Sequence, residues 1–138
     1  MGRVIDSTEF VRVERSLAGT GQMEAALSEF GPGSYLAAIQ VVELAMGMHL
    51  ANTPGRAGLR EAFLDAILGK LTLIPFAERE AREMARIQAL LRRMGTPIGD
   101  RDLQIAATAL VHGHEVVTRN VKDFAKIPGL IVIDAAPG

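Results

Sequence analysis

Apolar positions along the chain fall into short runs separated by longer segments with helical spacing. Val4-Ile5 is a short apolar run ending at Asp6 and predicts a first strand. Ser7 is placed to cap a helix through Glu9–Leu17, and a second helix covers Gln22–Phe30. Gly31-Pro32-Gly33 breaks it. "SYLAA" reads as a second strand and "IQVVELAMGMHLA" as the helix after it. Thr53-Pro54 is a cap-and-proline signal that starts a helix running to Leu71. "TLIPF" is a third strand. "AEREAREMARIQALLRRMG" is the clearest helix, with Met84, Ile87, Leu90, Leu91 and Met94 on one stripe and Gly95 as its stop. "PIGDRDLQIAATALVHG" is a helix with an almost wholly apolar body. "EVVTRN" is a strand ending near Asn120, "VKDFAKI" a short helix or turn, and "LIVID" the last strand.

Short strands alternating with helices predict an α/β fold, a short parallel sheet flanked by helices on both faces. The 138 residues fit a single domain over 1–138. An apolar content of 49% with only 4% aromatics requires a core of Ala, Leu, Ile, Val and Met. The chain has no cysteine, which excludes disulfides, thiolate zinc sites and a cysteine nucleophile, and suits a cytoplasmic location. A net charge of −1 gives no broad attraction to nucleic acid, so any such contact needs a local patch or a partner. "MGRVIDSTEF" has no apolar signal region and no run is long enough to span a bilayer, so no membrane partner is expected.

In parallel sheets, functional residues gather at the carboxyl ends of the strands. Asp6 stands at the end of the first strand, and Asn120 and Asp123 lie just past the fourth. Asp100 and Asp102 open the helix that feeds that fourth strand. Acids in a first helical turn are also favoured by the macrodipole and the free N–H groups, so capping explains either of them. Residues two apart on a helix point in different directions, so one acid should cap and the other face the site; periodicity does not choose between them. Glu43 interrupts an apolar stripe of Ile39, Val42, Met46 and Leu50, on a helix that also carries Val41, Leu44 and Met48. A helix so apolar fits an interface as well as a core. A buried carboxylate costs several kcal/mol unless it pairs with a cation or holds a metal. Asp6, Glu43, Asp102 and Asp123, with Asp100 as a spare, thus form a set expected to converge. Converging carboxylates repel, and protonation or a hard divalent cation relieves them. Mg²⁺ and Mn²⁺ favour carboxylate and water ligands and bridge to phosphate oxygens, which points to a metal site facing a phosphorylated substrate.

The segments "VIDST", "VVELAMG", "GDRDLQIAATALVHG" and "VTRNVKDFAKIPGLIVID" resemble a PIN-domain protein of the VapC-type toxin ribonucleases. The likeness runs nearly end to end, is most specific over Pro97–Asp134 and is weak over Leu17–Pro32. It implies a Mg²⁺- or Mn²⁺-dependent endoribonuclease with an acidic site. Carried over by motif, its acids are Asp6 in "IDST", Glu43 in "VVEL", Asp102 three residues before Ile105-Ala106, and the more variable Asp123 in "NVKDF". Asn120 is the polar residue beside the site, and Asp100 takes the N-cap role. Ser7-Thr8 stands where the family commonly has a small polar residue followed by Asn or Ser; Thr8 keeps a hydroxyl and is an accessory candidate. Glu9 replaces a more typical apolar residue. The implied chemistry is hydrolysis of RNA phosphodiesters, with Asp6 and Asp102 holding an ion that activates water and Glu43 and Asp123 completing the site. Arg119, Lys122 and Lys126 are the RNA-contact candidates, or anchors for an acidic partner. The implied partners are RNA, a VapB-like antitoxin and a second copy of the chain.

Other features have simpler readings. Arg79, Arg82 and Arg86 are interleaved with Glu78, Glu80 and Glu83, with Arg79 and Glu83 at pairing distance, as on a solvated face. His112 and His114 flank Gly113 at a helix end. A receiver-type phosphotransfer domain would want paired acids after the first strand, where "IDST" has one. A phosphatase of the haloacid dehalogenase type would want Asp-x-Asp, and Thr8 occupies the second place. A catalytically weak PIN-fold binding or dimerisation module differs from the enzyme only in catalytic competence.

Overall fold

The computed structural model describes residues 1–17 and 23–136. Five strands, β1 (Arg3–Ile5), β2 (Ser34–Ala37), β3 (Thr72–Ile74), β4 (Glu115–Thr118) and β5 (Val132–Asp134), form one sheet in the order β3-β2-β1-β4-β5. Every pairing is parallel, with Val4 level with Tyr35 on one side and Val116 on the other. The chain builds outward from β1 to β3, then returns to place β4 on the free side of β1. The strand order therefore reverses between β1 and β4, the kind of switch point where parallel sheets open a crevice beyond their carboxyl ends.

Alternate strand residues face opposite layers. Val4, Ala37 and Val116 join a core with Ile87 and Leu91 of α5 (Glu78–Arg93) and with Leu103, Ile105 and Ala106 of α6 (Asp100–Val111). Ile5 and Leu36 join a second core on the other face. It contains Phe10 and Val13 of α1 (Ser7–Arg15), Leu27 of α2 (Met23–Leu27), and Phe63 and Ile67 of α4 (Pro54–Lys70). The expected two-faced parallel sheet is thus what forms. α6 is the most deeply set helix: Ala106, Ala107 and Ala109 are fully buried, small enough to let it lie close between α5 and the sheet. Thr53 caps α4 by accepting from the Arg56 N–H, as Thr53-Pro54 predicts.

Several boundaries differ from expectation. The start foreseen for the second helix at Gln22 lies outside the described residues. α1 begins at Ser7, so its N-cap is Asp6, not Ser7, and the Asp6 side chain does not cap. α6 begins at Asp100, so its N-cap is Gly99 and Asp100 is not the cap. Asp100 is exposed and accepts only a 3.3 Å bond from Gln88. Its helix-starting value is that of an acid in the first turn, through the dipole. α3 (Ala38–His49) buries Gln40 and leaves Val42 and Met46 exposed, with Leu50 exposed just beyond its end.

Several charges of α5 and the two histidines after α6 have partners within the fold. Arg82 pairs with Glu78 at 2.7 Å and Arg86 with Glu83, while Arg79 reaches the Val111 carbonyl instead of the expected Glu83. His114 stacks on Tyr35 and accepts from the Gly2 N–H. His112 Nε2 lies 2.9 Å from buried Glu80, joining the end of α6 to the start of α5. Burial works against ionised Glu80. The N–H groups of Ala77 and of Glu80 itself, then His112, outweigh it and hold the carboxyl below its ordinary 4.5. A carboxyl lowered in the folded state stabilises above its unfolded pKa and loses that contribution as pH falls through the folded value. Glu80→Gln should therefore melt below wild type at pH 5.5, with the gap closing as melting scans move to pH 3. A gap independent of pH defeats this account.

Candidate active site

The sheet edge at the β1–β4 switch point is built by backbone first. The Asp6 N–H donates to the Val117 carbonyl at 2.9 Å, extending the pairing of β1 and β4 by one residue. This fixes Asp6 at the crevice with its side chain buried to 1% exposure. Its Oδ2 accepts a 2.6 Å bond from the hydroxyl of Thr118, the last residue of β4. Asp102, in the first turn of α6, is also buried, and Glu43 reaches in from α3 half-buried.

These three acids meet around one side chain, the guanidinium of Arg101. Its Nη2 donates to Asp6 Oδ1 at 2.5 Å, its Nε to Glu43 Oε2 at 2.6 Å and its Nη1 to Asp102 Oδ1 at 2.8 Å. Arg101 and Asp102 are adjacent on the helix, yet the long arginine stem curls back to reach its neighbour's carboxylate. The expected convergence of Asp6, Glu43 and Asp102 therefore occurs about a cation supplied by the chain. Among the described residues, no three carboxylate or imidazole groups stand close enough to share one ion in this arrangement.

The other carboxylate oxygens are held by neutral donors. Ser7 donates its hydroxyl to Glu43 Oε1 at 2.9 Å. Asn120 donates through Nδ2 to both Asp102, at 3.1 Å, and Asp123, at 3.2 Å. Asp123 also pairs with Lys126 at 3.4 Å. Beneath them Gln40, fully buried, donates to the Ile5 carbonyl and to Ser7 Oγ and accepts from the Ala37 N–H.

Charge is felt across the whole pocket. Burial raises the Asp102 carboxyl above its ordinary value; Arg101 pulls it down, while Asp6 and Asp123 push it up. Burial works against the Arg101 cation, but Glu43 and Asp6 hold it more firmly protonated than a free arginine. Asp123 is lowered, first by the Asn120 hydrogen bond and then by Lys126 and Lys122.

The predicted residues are thus distributed plainly. Asp6, Glu43 and Asp102 meet, and Asn120 links Asp102 to Asp123. Asp100 faces away toward Gln88, and exposed Thr8 yields the hydroxyl role to Ser7. Arg119 is tied at 2.9 Å to buried Glu9, which also holds Arg12, so the unexpected acid at position 9 serves as their counterion. Lys126 is paired with Asp123, and Lys122 is exposed. Arg101, Ser7, Gln40 and Thr118 were not foreseen. Gln40 had a signal, a glutamine three residues into a helix whose preceding residue needs an acceptor. Arg101 had one only in hindsight, as a cation set between two acids.

A parallel α/β domain with carboxylates from separate elements at its switch point defines a class of single-domain protein with an acidic, cation-holding site. The chain belongs to the PIN-domain family, whose model matches residues 4–130. It is 35% identical over 133 residues to ribonuclease VapC1 of Rickettsia felis, covering 96% of each chain. It is 31% identical to the tRNA(fMet)-specific endonuclease VapC of Salmonella typhimurium over 99 residues, 72% of this chain and 73% of that one. The toxin–antitoxin complex VapBC of Salmonella typhimurium, solved bound to DNA, contains a chain that superposes with a TM-score of 0.82, at 24% identity over 99% of both chains. Membership sets aside the receiver and haloacid dehalogenase alternatives. Nucleases of this family generally use divalent metals. No helix among the described residues is long and apolar enough to cross a membrane.

Gln40→Ala strips partners from buried backbone groups, each of which costs about 1–3 kcal/mol when left unsatisfied. It should lower urea-unfolding stability by about 2–3 kcal/mol, while Asp100→Ala changes it by less than about 0.5 kcal/mol, the usual range for a surface site. A loss well above about 1 kcal/mol at Asp100 exceeds what an exposed first-turn acid gains from the dipole and rejects this reading of it.

Proposed function

We propose that this chain is a metal-dependent endoribonuclease, the toxin of a toxin–antitoxin pair, and that it hydrolyses RNA phosphodiesters at the Asp6–Glu43–Asp102 pocket. The observation that carries the reading is the meeting of three carboxylates, from three elements, around a single positive charge at the switch point of the sheet. The names of the relatives, ribonucleases and an RNA-specific endonuclease, support the reaction class.

The donor set fits a hard divalent ion. Its members are carboxylate oxygens gathered on one guanidinium, with no sulfur or imidazole among them, and hard oxygen donors are what Mg²⁺ and Mn²⁺ prefer. Asp6 and Asp102 would hold Mg²⁺ or Mn²⁺, and Glu43 and Asp123 would complete the site. Such an ion supplies Lewis-acid activation of a water and neutralises charge on the phosphate. Thr118 and Asn120 keep Asp6 and Asp102 from turning away, and Ser7 does the same for Glu43. Lys122, exposed one residue before Asp123, is the available cation for a neighbouring phosphate, since Arg119 is held by Glu9.

Three further assignments accompany this reading. An antitoxin resembling VapB is supported by the VapBC complexes among the structural relatives. A homodimer is supported by the exposed apolar stripe of Val42, Met46 and Leu50. A cytoplasmic place of action is part of the same proposal, because that is where the proposed RNA substrate is found.

The test is cleavage of total RNA with and without Mg²⁺ or Mn²⁺. Wild type should cut only with the ion, and Asp6→Asn and Asp102→Asn should each lose at least the roughly 10–100-fold that outer-shell partners of a metal cost. Metal-independent cutting, or full activity in both variants, removes the proposed chemistry; no cutting by folded wild type favours the binding-module alternative. Sedimentation tests the pairing separately: wild type should run as a dimer and Met46→Glu as a monomer, and a monomeric wild type rejects it.

A further inference from the structure

Each acid of the pocket divides its two oxygens in the same way. One goes to a neutral donor: Thr118 for Asp6, Ser7 for Glu43, Asn120 for Asp102. The other goes to Arg101. The oxygens left by the neutral donors are the ones a divalent ion would take, and all three are engaged by one guanidinium. A guanidinium is planar, permanently charged and supplies parallel donors to carboxylates, so its hold on three of them is strong and geometrically defined. Its side chain nevertheless keeps 31% exposure, and its stem leaves from the first turn of α6 at the mouth of the crevice. Its three bonds in the pocket are all to side chains, so its departure would break no backbone hydrogen bond.

We propose that Arg101 is an internal competitor for the cation site, a positioning residue that acts through Asp6, Glu43 and Asp102 and sets the metal affinity of the pocket. Metal entry is an exchange: the ion takes the carboxylate oxygens and the guanidinium moves out to solvent. Without the ion, Arg101 holds the acids together and cancels part of their mutual repulsion. With it, retaining the guanidinium in place would set two positive charges against each other over the same oxygens. This inference rests on the proposed metal site, and it predicts an affinity weaker than the carboxylates alone would give.

The experiment is calorimetric titration with MnCl₂ of wild type, Arg101→Gln, Arg101→Lys and Asp102→Asn, with no RNA present. The competitor role predicts at least tenfold tighter binding for Arg101→Gln, an intermediate value for Arg101→Lys, which keeps a charge but not the planar fork, and little binding for Asp102→Asn. Equal affinity in wild type and Arg101→Gln, with binding still lost in Asp102→Asn, overturns the competitor role and leaves the metal site standing. No binding in wild type or in Arg101→Gln overturns both. Weaker binding in Arg101→Gln makes Arg101 a support of the site and overturns the proposal.

A measurement on wild type covers the case in which Arg101→Gln does not fold. The Arg101 Nε–H should give an NMR signal protected from solvent exchange in chelator, assigned by its absence in Arg101→Lys. Saturating MgCl₂ should abolish that protection. A signal equally protected with and without Mg²⁺ rejects the exchange.

Discussion

Three ionised carboxylates at one edge of a sheet repel one another strongly, and the architecture of the pocket follows from placing a positive charge between them. In a parallel sheet every strand delivers its carboxyl end to the same edge, so acids placed there accumulate. Asp6 arrives from the β1–α1 junction, Glu43 from α3 and Asp102 from α6. Arg101 joins the three by charge-assisted hydrogen bonds, and in doing so ties the end of a central strand to two helices, α3 and α6, at once. The raised Asp102 carboxyl shows how far the balance is incomplete: burial and the neighbouring acids outweigh even a directly bonded guanidinium.

The neutral partners give the pocket its orientation. Thr118 Oγ accepts from the Asn120 backbone N–H, which leaves its own hydrogen for Asp6. Ser7 Oγ accepts from Gln40, which leaves its hydrogen for Glu43. Both relays run from an amide N–H through a hydroxyl to a carboxylate, so neither hydroxyl can turn round without losing a bond at each end. Chains of this kind polarise along their length, and a fully satisfied one rigidifies its surroundings. The acids are therefore held from below independently of whichever cation sits above them. That independence is what a site needs if its cation is to change while its carboxylates stay in place.

Much of this was legible in the sequence, for reasons that can be assigned to particular residues. Helices and strands announce themselves through period, and the breaker at Gly31-Pro32-Gly33 and the cap at Thr53-Pro54 mark boundaries by local chemistry. Asp6, Glu43 and Asp102 stood out because an acid at a strand end or inside an apolar stripe requires an explanation. Strand order was not legible, because it is fixed by which apolar faces find each other over long separations. Nor was the exposure of Val42 and Met46, since period shows that residues share a face without showing what covers it. Asp100 was misassigned as a cap by one residue of helix start, a shift that composition cannot resolve because both aspartates suit a first turn. Arg101 was missed because a lone arginine in a helical first turn has many solvated explanations, and only the third dimension brings Glu43 and Asp6 to it.

The charge distribution also bears on how such a site could engage RNA. A chain of net charge −1 draws no polyanion from a distance, and its best-placed side cations are already committed, Arg119 to Glu9 and Lys126 to Asp123. An acidic pocket by itself repels phosphate. On the proposed reading, attraction is therefore local, and it depends on the cation held between the carboxylates together with a few rim donors such as Lys122. Binding of this kind releases few counterions, so it should vary less steeply with salt than binding along a basic groove, where each neutralised phosphate steepens the dependence. On that reading recognition and chemistry would share a single ion: RNA would be gripped at the place where it is cut, and without the ion the pocket would lose both its activated water and its attraction for phosphate.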